Sequence, residues 1–440
     1  MKDVSAASPL AFASEFRLSD APDTVAAQAK LCLLDLLGIA IGGSQTELAR
    51  IICAHAAEDF GGTAPLIFAH GTASPPGLAL AGGMMIDALD GHDGYNPAKG
   101  HIGCALLPAI LALAPRDCSG TDLLEALIVG YELGSRLGPA LHGTVSDYHT
   151  SGAWMAVATA VVGARLCGLN PEQMAHAAGI AEYHGPRSQM MRTIDTPTML
   201  KDGSGWGAMA GVSAVRLARK GFTGAPALTL DSAEVAPWWV DLGQRWLILE
   251  QYFKPYPVCR WAHAPVEAAL GLKRANALEA SDITRVEIET FHESTRLAVN
   301  APQTTEEAQY STSFPVAIAL VRDGISPFDL SQEALFDPEI RRLSARMTMT
   351  ESARANAAFP QQRLARVRLH LADGRAFESD WQTPRWDAET PPSAADIRAK
   401  FDEMAIPIAG LEKAGKIAEA VEALPATPLK HLRALVNAPL

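Results

Sequence analysis

Five segments gather the residue types that can move a proton or hold an anion. The first runs from Asp87 through Asp90, His92, Asp93 and Lys99 to His101. Its three acids fall at i, i+3 and i+6 and its imidazoles follow glycines, which puts carboxylates and histidines at a helix end and its loop, where general acid–base chemistry can be done. A capping cluster has the same spacing. So do aspartate-rich magnesium sites, but a metal would need a phosphate-bearing substrate or further ligands, and no Walker-type loop is present.

The second segment is Tyr148-His149-Thr150-Ser151-Gly152, directly before an apolar run from Ala153 to Leu166. A histidine there meets the positive end of a helix dipole, which favours the neutral imidazole and suits a general base or a carboxylate-binding donor. A satisfied core histidine is the alternative. The third, Lys201-Asp202-Gly203-Ser204-Gly205-Trp206-Gly207, opens another helix with free backbone N–H groups and one ammonium, so a small anion could dock there. Its glycines could equally serve tight packing. The fourth, Lys254 to His263, uses Pro255 and Pro257 to hold an extended stretch that displays Lys254 and Arg260 ahead of a helix starting at His263. A hinge between domains is its structural alternative, and Cys259 within it reads as packing. The fifth, His184 to Arg192, offers Arg187 and Arg192 in a broken loop suited to forked carboxylate recognition or simply to solvation.

The elements that position these segments are mostly helices. Ala-rich runs punctuated by glycine or capped by Asp, Thr or Asn predict helices over 23–43, 46–60, 78–90, 121–142, 152–168, 171–183 and 206–220. Period-two alternation predicts strands over 283–291, 347–350 and 367–371, with Asp373-Gly374 as a hairpin turn. Helices return at 393–404, 410–423 and 428–437. The expected architecture is a large all-α domain of discontinuous sequence, 1–264 with 393–440, and a smaller α+β lid, 265–392, with an antiparallel sheet.

Composition limits what such a protein does. The 440 residues are 48% apolar and 20% charged, which is globular, and 37 Lys plus Arg against 49 Asp plus Glu give a net charge of -12. A basic footprint for nucleic acid is missing. The six cysteines form no Cys-x-x-Cys pair, so a reducing cytoplasm is expected. The stretch Met1 to Ala7 reads as neither signal nor transit peptide, and the run Ala153–Gly163 is too short to span a bilayer, so no membrane partner is expected.

Read in order, these segments resemble the MmgE/PrpD family, which includes dehydratases of the 2-methylcitrate type, decarboxylases of the cis-aconitate type and epimerases of the iminodisuccinate type. Leu33-Leu34-Asp35-Leu36-Leu37-Gly38, Gly221-Phe222-Thr223-Gly224 and the stretch Thr304 to Ser311 add to the likeness. The resemblance implies a homodimer and an inter-domain cleft that works without cofactor or metal on a small anionic carboxylate substrate. By similarity Asp93, His101, His149, Lys201, Lys254 and His263 fall on active-site positions. His149 is then the base, His101 the donor to the leaving group, and Lys201, Lys254 and Arg260 or Arg187 the cations that stabilise negative charge developing beside a carboxylate. Ser204 replaces a usual histidine and joins Lys254, Arg260, His263 and Arg187 as the expected substrate-binding set. Phe314 stands where relatives often carry tyrosine, which removes one proton donor. The expected activity is a hydro-lyase. An epimerase, a decarboxylase, a non-catalytic carboxylate binder and a magnesium enzyme are the alternatives.

Overall fold

The computed structural model describes residues 8–440; the leader reading at Met1 to Ala7 lies outside them. After a short N-terminal helix, the helices of eleven residues or more in this part of the chain build the larger core: α1 (Asp23–Gly43), α2 (Glu47–Asp59), α3 (Pro75–Asp87), α4 (Gly103–Leu113), α5 (Gly120–Thr144), α6 (Ser151–Leu166), α7 (Pro171–His184) and α8 (Ser204–Ala218). Their starts follow local caps. Thr46, Ser119 and Asn170 each accept a backbone N–H of the first turn, and Pro171 occupies a first helical position. Helix α4 has no such sequence signature, because Gly103 and Pro108 argue against helix locally; near-complete burial of its side chains overrides propensity.

By length and composition α1 could cross a membrane, yet 72% of its most apolar window is buried within the protein. It is a core helix, with Leu33, Leu36, Leu37 and Ile39 fully buried. Glycine sets how closely the others approach. A methyl group on Gly83 of α3 would lie 2.5 Å from Cα of Gly205, and one on Gly207 would lie 2.4 Å from the carbonyl oxygen of Gly152 in α6. Helix α8 therefore meets α3 and α6 backbone to backbone near its first turn. The loops at 87–101, 148–151 and 201–204 converge as a result.

A second core begins at Tyr256 and runs to Leu371. It packs α9 (His263–Ala275) and α10 (Phe314–Arg322) on a four-stranded sheet made of β1 (Ile283–Thr290), β2 (Met347–Glu351), β3 (Arg366–Leu371) and β4 (Ala376–Glu378), in the order β2-β1-β3-β4. The sheet is antiparallel through β1, β3 and β4, with the hairpin turn at Asp373-Gly374 as anticipated. Strand β2 pairs parallel with β1, because the chain between them makes a helical crossover through residues 292–344 rather than a hairpin. Alternation alone carries no information on strand direction. Finally α11 (Ala394–Glu422), which changes direction at Gly410, and α12 (Leu429–Val436) return to the first core, with Ile397, Phe401 and Ile417 buried there.

Candidate active site

The passage between the two cores is the segment Lys254–His263, and the chemistry gathers beside it in a cavity of about 130 Å³. Two backbone hydrogen bonds between Gly94 and Tyr252 pin the Asp87–His101 loop to the chain just before this crossing. Three polar residues here, Asp90, Lys99 and Lys201, hold left-handed backbone angles that L side chains adopt at a cost of roughly 1 kcal/mol or more. Their surroundings hold them there.

His101 and Asp90 line the cavity together with Lys99, Lys254, Arg260 and Arg363. The Nδ1 atom of His101 faces the carbonyl oxygen of Asp93 at 2.7 Å. A carbonyl only accepts, so a neutral ring carries its proton on Nδ1 and presents the lone pair of Nε2, which lies 3.6 Å from Asp90. Burial, helped by His92 and Lys254, takes the His101 ring down to about 3 and keeps it neutral. Its backbone N–H donates to Ser151 Oγ at 2.8 Å, tying it to the first residue of α6.

Lys254 is fully buried, and its ammonium donates to the Asp90 carboxylate at 2.5 Å and to the Asp90 carbonyl oxygen at 2.6 Å. Burial is the largest single influence and works to raise Asp90, but the Lys254 ammonium, joined by the neighbouring His101 and His92, outweighs it and holds the carboxyl at about 2. Asp90, His92 and His101 bring ligand atoms within 4.8 Å of one another. A cation placed there would have to displace the Lys254 ammonium from Asp90.

Several expected residues lie elsewhere. Asp93 is buried, accepts a hydrogen bond from Tyr131, and turns away from the cavity; burial pushes its carboxyl up to about 6. The acid that lines the cavity is Asp90, three residues earlier. His149 precedes the N-cap of α6, with Nδ1 on the carbonyl of Asp147 at 3.0 Å, and is not a lining residue. Lys201 is buried behind the lining, donating to Gln309 and standing 5.2 Å from the centre of the Tyr310 ring, which does line the cavity. His263 starts α9 with Nε2 on the carbonyl of Val258 at 3.1 Å, also behind the wall. Ser204 is the first residue of α8 and accepts from Cys104. The helix N-terminus it opens does meet an anion, but an internal one: Asp87 accepts the backbone N–H groups of Asp202 and Ser204 at 3.2 and 3.4 Å. Arg187 is exposed on its loop, and from that stretch Met190 and Met191 reach the cavity instead. Phe314 is buried in the second core.

The sequence reading passed over Tyr252, Trp261, Phe359 and Arg363. Trp261 stands inside the Lys254–His263 motif, whereas Arg363 sits in a loop with no motif around it and reaches the cavity only through the packing of the lobes. Cys259 also lines the cavity, where burial pushes its thiol up to about 12 and keeps it protonated.

Two unlike lobes, a helical one and one built on a small sheet, thus close over a pocket of imidazole and cationic side chains. Residues 10–239 match the MmgE/PrpD N-terminal domain and residues 256–426 the MmgE/PrpD C-terminal domain, so the chain belongs to the MmgE/PrpD family. It is 24% identical over 471 aligned positions to a cis-aconitate decarboxylase of Aspergillus terreus, covering 98% of this chain and 95% of that one. A cis-aconitate decarboxylase-like protein oryM of Aspergillus oryzae is 31% identical over 181 positions, 38% of this chain and 37% of that one.

Proposed function

We propose that the chain is a lyase that works, without a cofactor, on the carbon next to a carboxylate of a small di- or tricarboxylic acid. The observation that carries this reading is the His101 ring, a neutral imidazole whose Nε2 lone pair faces a buried cavity walled by ammonium and guanidinium groups. A proton α to a carboxylate is weakly acidic, so its removal requires cations that stabilise the charge spreading onto that carboxylate. Lys254 and Lys99 supply it, and the low-polarity wall of Met190, Met191, Ile194 and Phe359 strengthens their effect.

In the dehydrating direction His101 Nε2 takes the proton, the C–H electron pair becomes the new double bond, and the hydroxyl on the neighbouring carbon leaves as water with a proton from the protonated ring or a cavity hydroxyl. The second reading is decarboxylation, favoured by the name its relatives carry. There the carbon–carboxylate bond breaks, carbon dioxide leaves, and the carbon left with the electron pair takes a proton that His101 Nε2 first picks up from solvent water and passes on. Either path balances without an oxidant or reductant. Lys201 and His263 act from behind the lining, Lys201 by fixing Gln309 and Tyr310. His149 orders the loop before α6.

The resemblance also brings a homodimer in the cytoplasm to this reading. Trp206 and Leu217, both exposed and spaced three helical turns apart on one face of α8, support a second copy. The test is a mass-resolved panel of hydroxy- and unsaturated di- and tricarboxylates given to chelator-treated protein. Loss of 18 or 44 mass units from one of them, as about expected for water or carbon dioxide, supports the reading. No turnover of any polycarboxylate rejects it in favour of a carboxylate-binding protein.

A further inference from the structure

Two guanidinium groups in the cavity wall are buried without full partners. Arg260 is 3% exposed and Arg363 is 4% exposed. Arg260 Nη1 donates to the carbonyls of Phe253 and Arg385 at 3.0 and 3.1 Å, and its plane lies 4.4 Å over the Tyr252 ring. Its Nε and Nη2 make no hydrogen bond, although Nη2 stands 3.3 Å from the Asp387 carboxylate. Arg363 Nη1 donates to Asn96 Oδ1 at 2.6 Å and to the Pro360 carbonyl at 3.3 Å, while its Nε is unpartnered.

Asn96 ties the pair together. Its amide nitrogen donates to Asp387 at 2.6 Å and its oxygen accepts from Arg363, so one side chain from the first lobe indexes an arginine of the second against the returning loop. Charge does not balance there. Among the described residues Asp387 is the one acid within ion-pair distance of Arg260, and Arg363 has none. Of the acids lining the cavity, Asp90 is held by Lys254, Asp202 by Ser151, and Glu293 acts on Lys99. Leaving buried N–H donors and charge unmatched is costly unless a ligand completes them.

We infer that Arg363, with Arg260, forms a second carboxylate subsite, so that the preferred substrate carries one carboxylate at Lys254 and His101 and another on this arginine pair. This rests on the reading of the cavity as a carboxylate site and adds a specificity-determining residue to it. Arginine suits the role because its planar fork meets a carboxylate through two N–H groups, which lysine cannot do. Because Arg363 belongs to the second lobe, a diacid also draws the two lobes together, whereas a monoacid leaves the pair unmet.

Calorimetric binding separates this claim from the reaction itself, since the probe need not react. The probe is propane-1,2,3-tricarboxylate, compared with glutarate and butyrate, on the full chain. Wild type should bind the tri- and dicarboxylate and discriminate strongly against butyrate. Arg363→Gln should weaken the polycarboxylates by roughly 100-fold while leaving butyrate unchanged, and Arg363→Lys should recover part of the loss. Unaltered melting and circular dichroism of Arg363→Lys keep the comparison interpretable if the glutamine variant folds poorly. Equal polycarboxylate binding by wild type and both variants, or no wild-type binding to any of the three, overturns the inference. This binding pattern, together with no turnover anywhere in the panel of hydroxy- and unsaturated polycarboxylates, overturns the lyase reading instead and leaves the subsite standing.

Discussion

The ammonium of Lys254, on the segment that crosses between lobes, sits 2.5 Å from the carboxylate of Asp90, in the turn after a helix of the first lobe. A substrate carboxylate has to share that ammonium with Asp90. Asp90→Asn should therefore free the cation and lower KM, while kcat falls because the amide no longer positions Lys254 or the His101 ring beside it. Lys254→Met should cost about a thousandfold in kcat/KM, the scale for losing a charge-stabilising group. Steady-state kinetics of the two variants checks both, and a raised KM in Asp90→Asn contradicts the sharing.

His101 is held neutral with its proton on Nδ1. Nitrogen-detected NMR of ring-labelled protein should show that tautomer and no titration of His101 down to pH 5. A midpoint near the ordinary 6.5 would contradict the burial argument. The same experiment on an unfolded sample should give the ordinary midpoint.

His149 and His101 are the two candidates for the base, and they differ in access to the cavity. His101→Gln should abolish turnover. His149→Ala should lower it by about tenfold or less, through the order of the loop before α6, which is the size of effect expected when a positioning group is lost. Equal and complete loss in both variants would put His149 back at the reacting carbon.

Asp93 sets a pH dependence of stability. Its carboxyl lies at about 6 in the folded chain because burial disfavours the charge, against an ordinary value near 4 when unfolded. The folded state thus holds a proton that the unfolded state has lost between those values, so the contribution of Asp93 is full below pH 4 and is lost as pH rises through 6. Asp93→Asn, which keeps an acceptor for Tyr131, should remove that slope. Melting wild type and variant from pH 4 to 7 should reveal a stability difference that grows by on the order of 3 kcal/mol in the variant's favour. A constant difference would rule it out.

Lys400 of α11 donates to Asp35 of α1 at 2.5 Å and to the carbonyl oxygen of Gly91 at 2.7 Å. It holds the Asp90–Asp93 loop from behind, so Lys400→Met should cost roughly 3 kcal/mol of stability and lower kcat with little change in KM. Adding Asp35→Leu, which removes the stranded carboxylate, should restore most of the stability but not kcat. Denaturant melts with kinetics on the single and double variants measure this, and recovery of both would make the contact purely structural.

Much of this was legible in the sequence. Capping residues, glycine stops and alternating strands marked the elements, and the Asp87–His101 and Lys254–His263 segments do meet at one cavity. Side-chain direction was not legible. Asp90 and Asp93 are three residues apart with similar neighbours, and a left-handed turn at Asp90 decides which one faces the cavity. Lys201 and His263 lie one layer behind it, a difference of a few ångströms that no spacing encodes. Arg363 had no local signal, since its role depends on the second lobe folding over Asn96. The parallel pairing of β2 was hidden for the same reason, because strand direction belongs to the connection rather than to the strand.

The most direct test of the proton-transfer claim is incubation of wild type and His101→Gln with the reactive polycarboxylate in deuterium oxide, with deuterium located by mass and proton NMR. The account predicts solvent deuterium at the carbon next to a carboxylate, in recovered substrate or in product, with wild type and none with the variant. Turnover by wild type with no solvent deuterium at that carbon, or undiminished incorporation by His101→Gln, would contradict it.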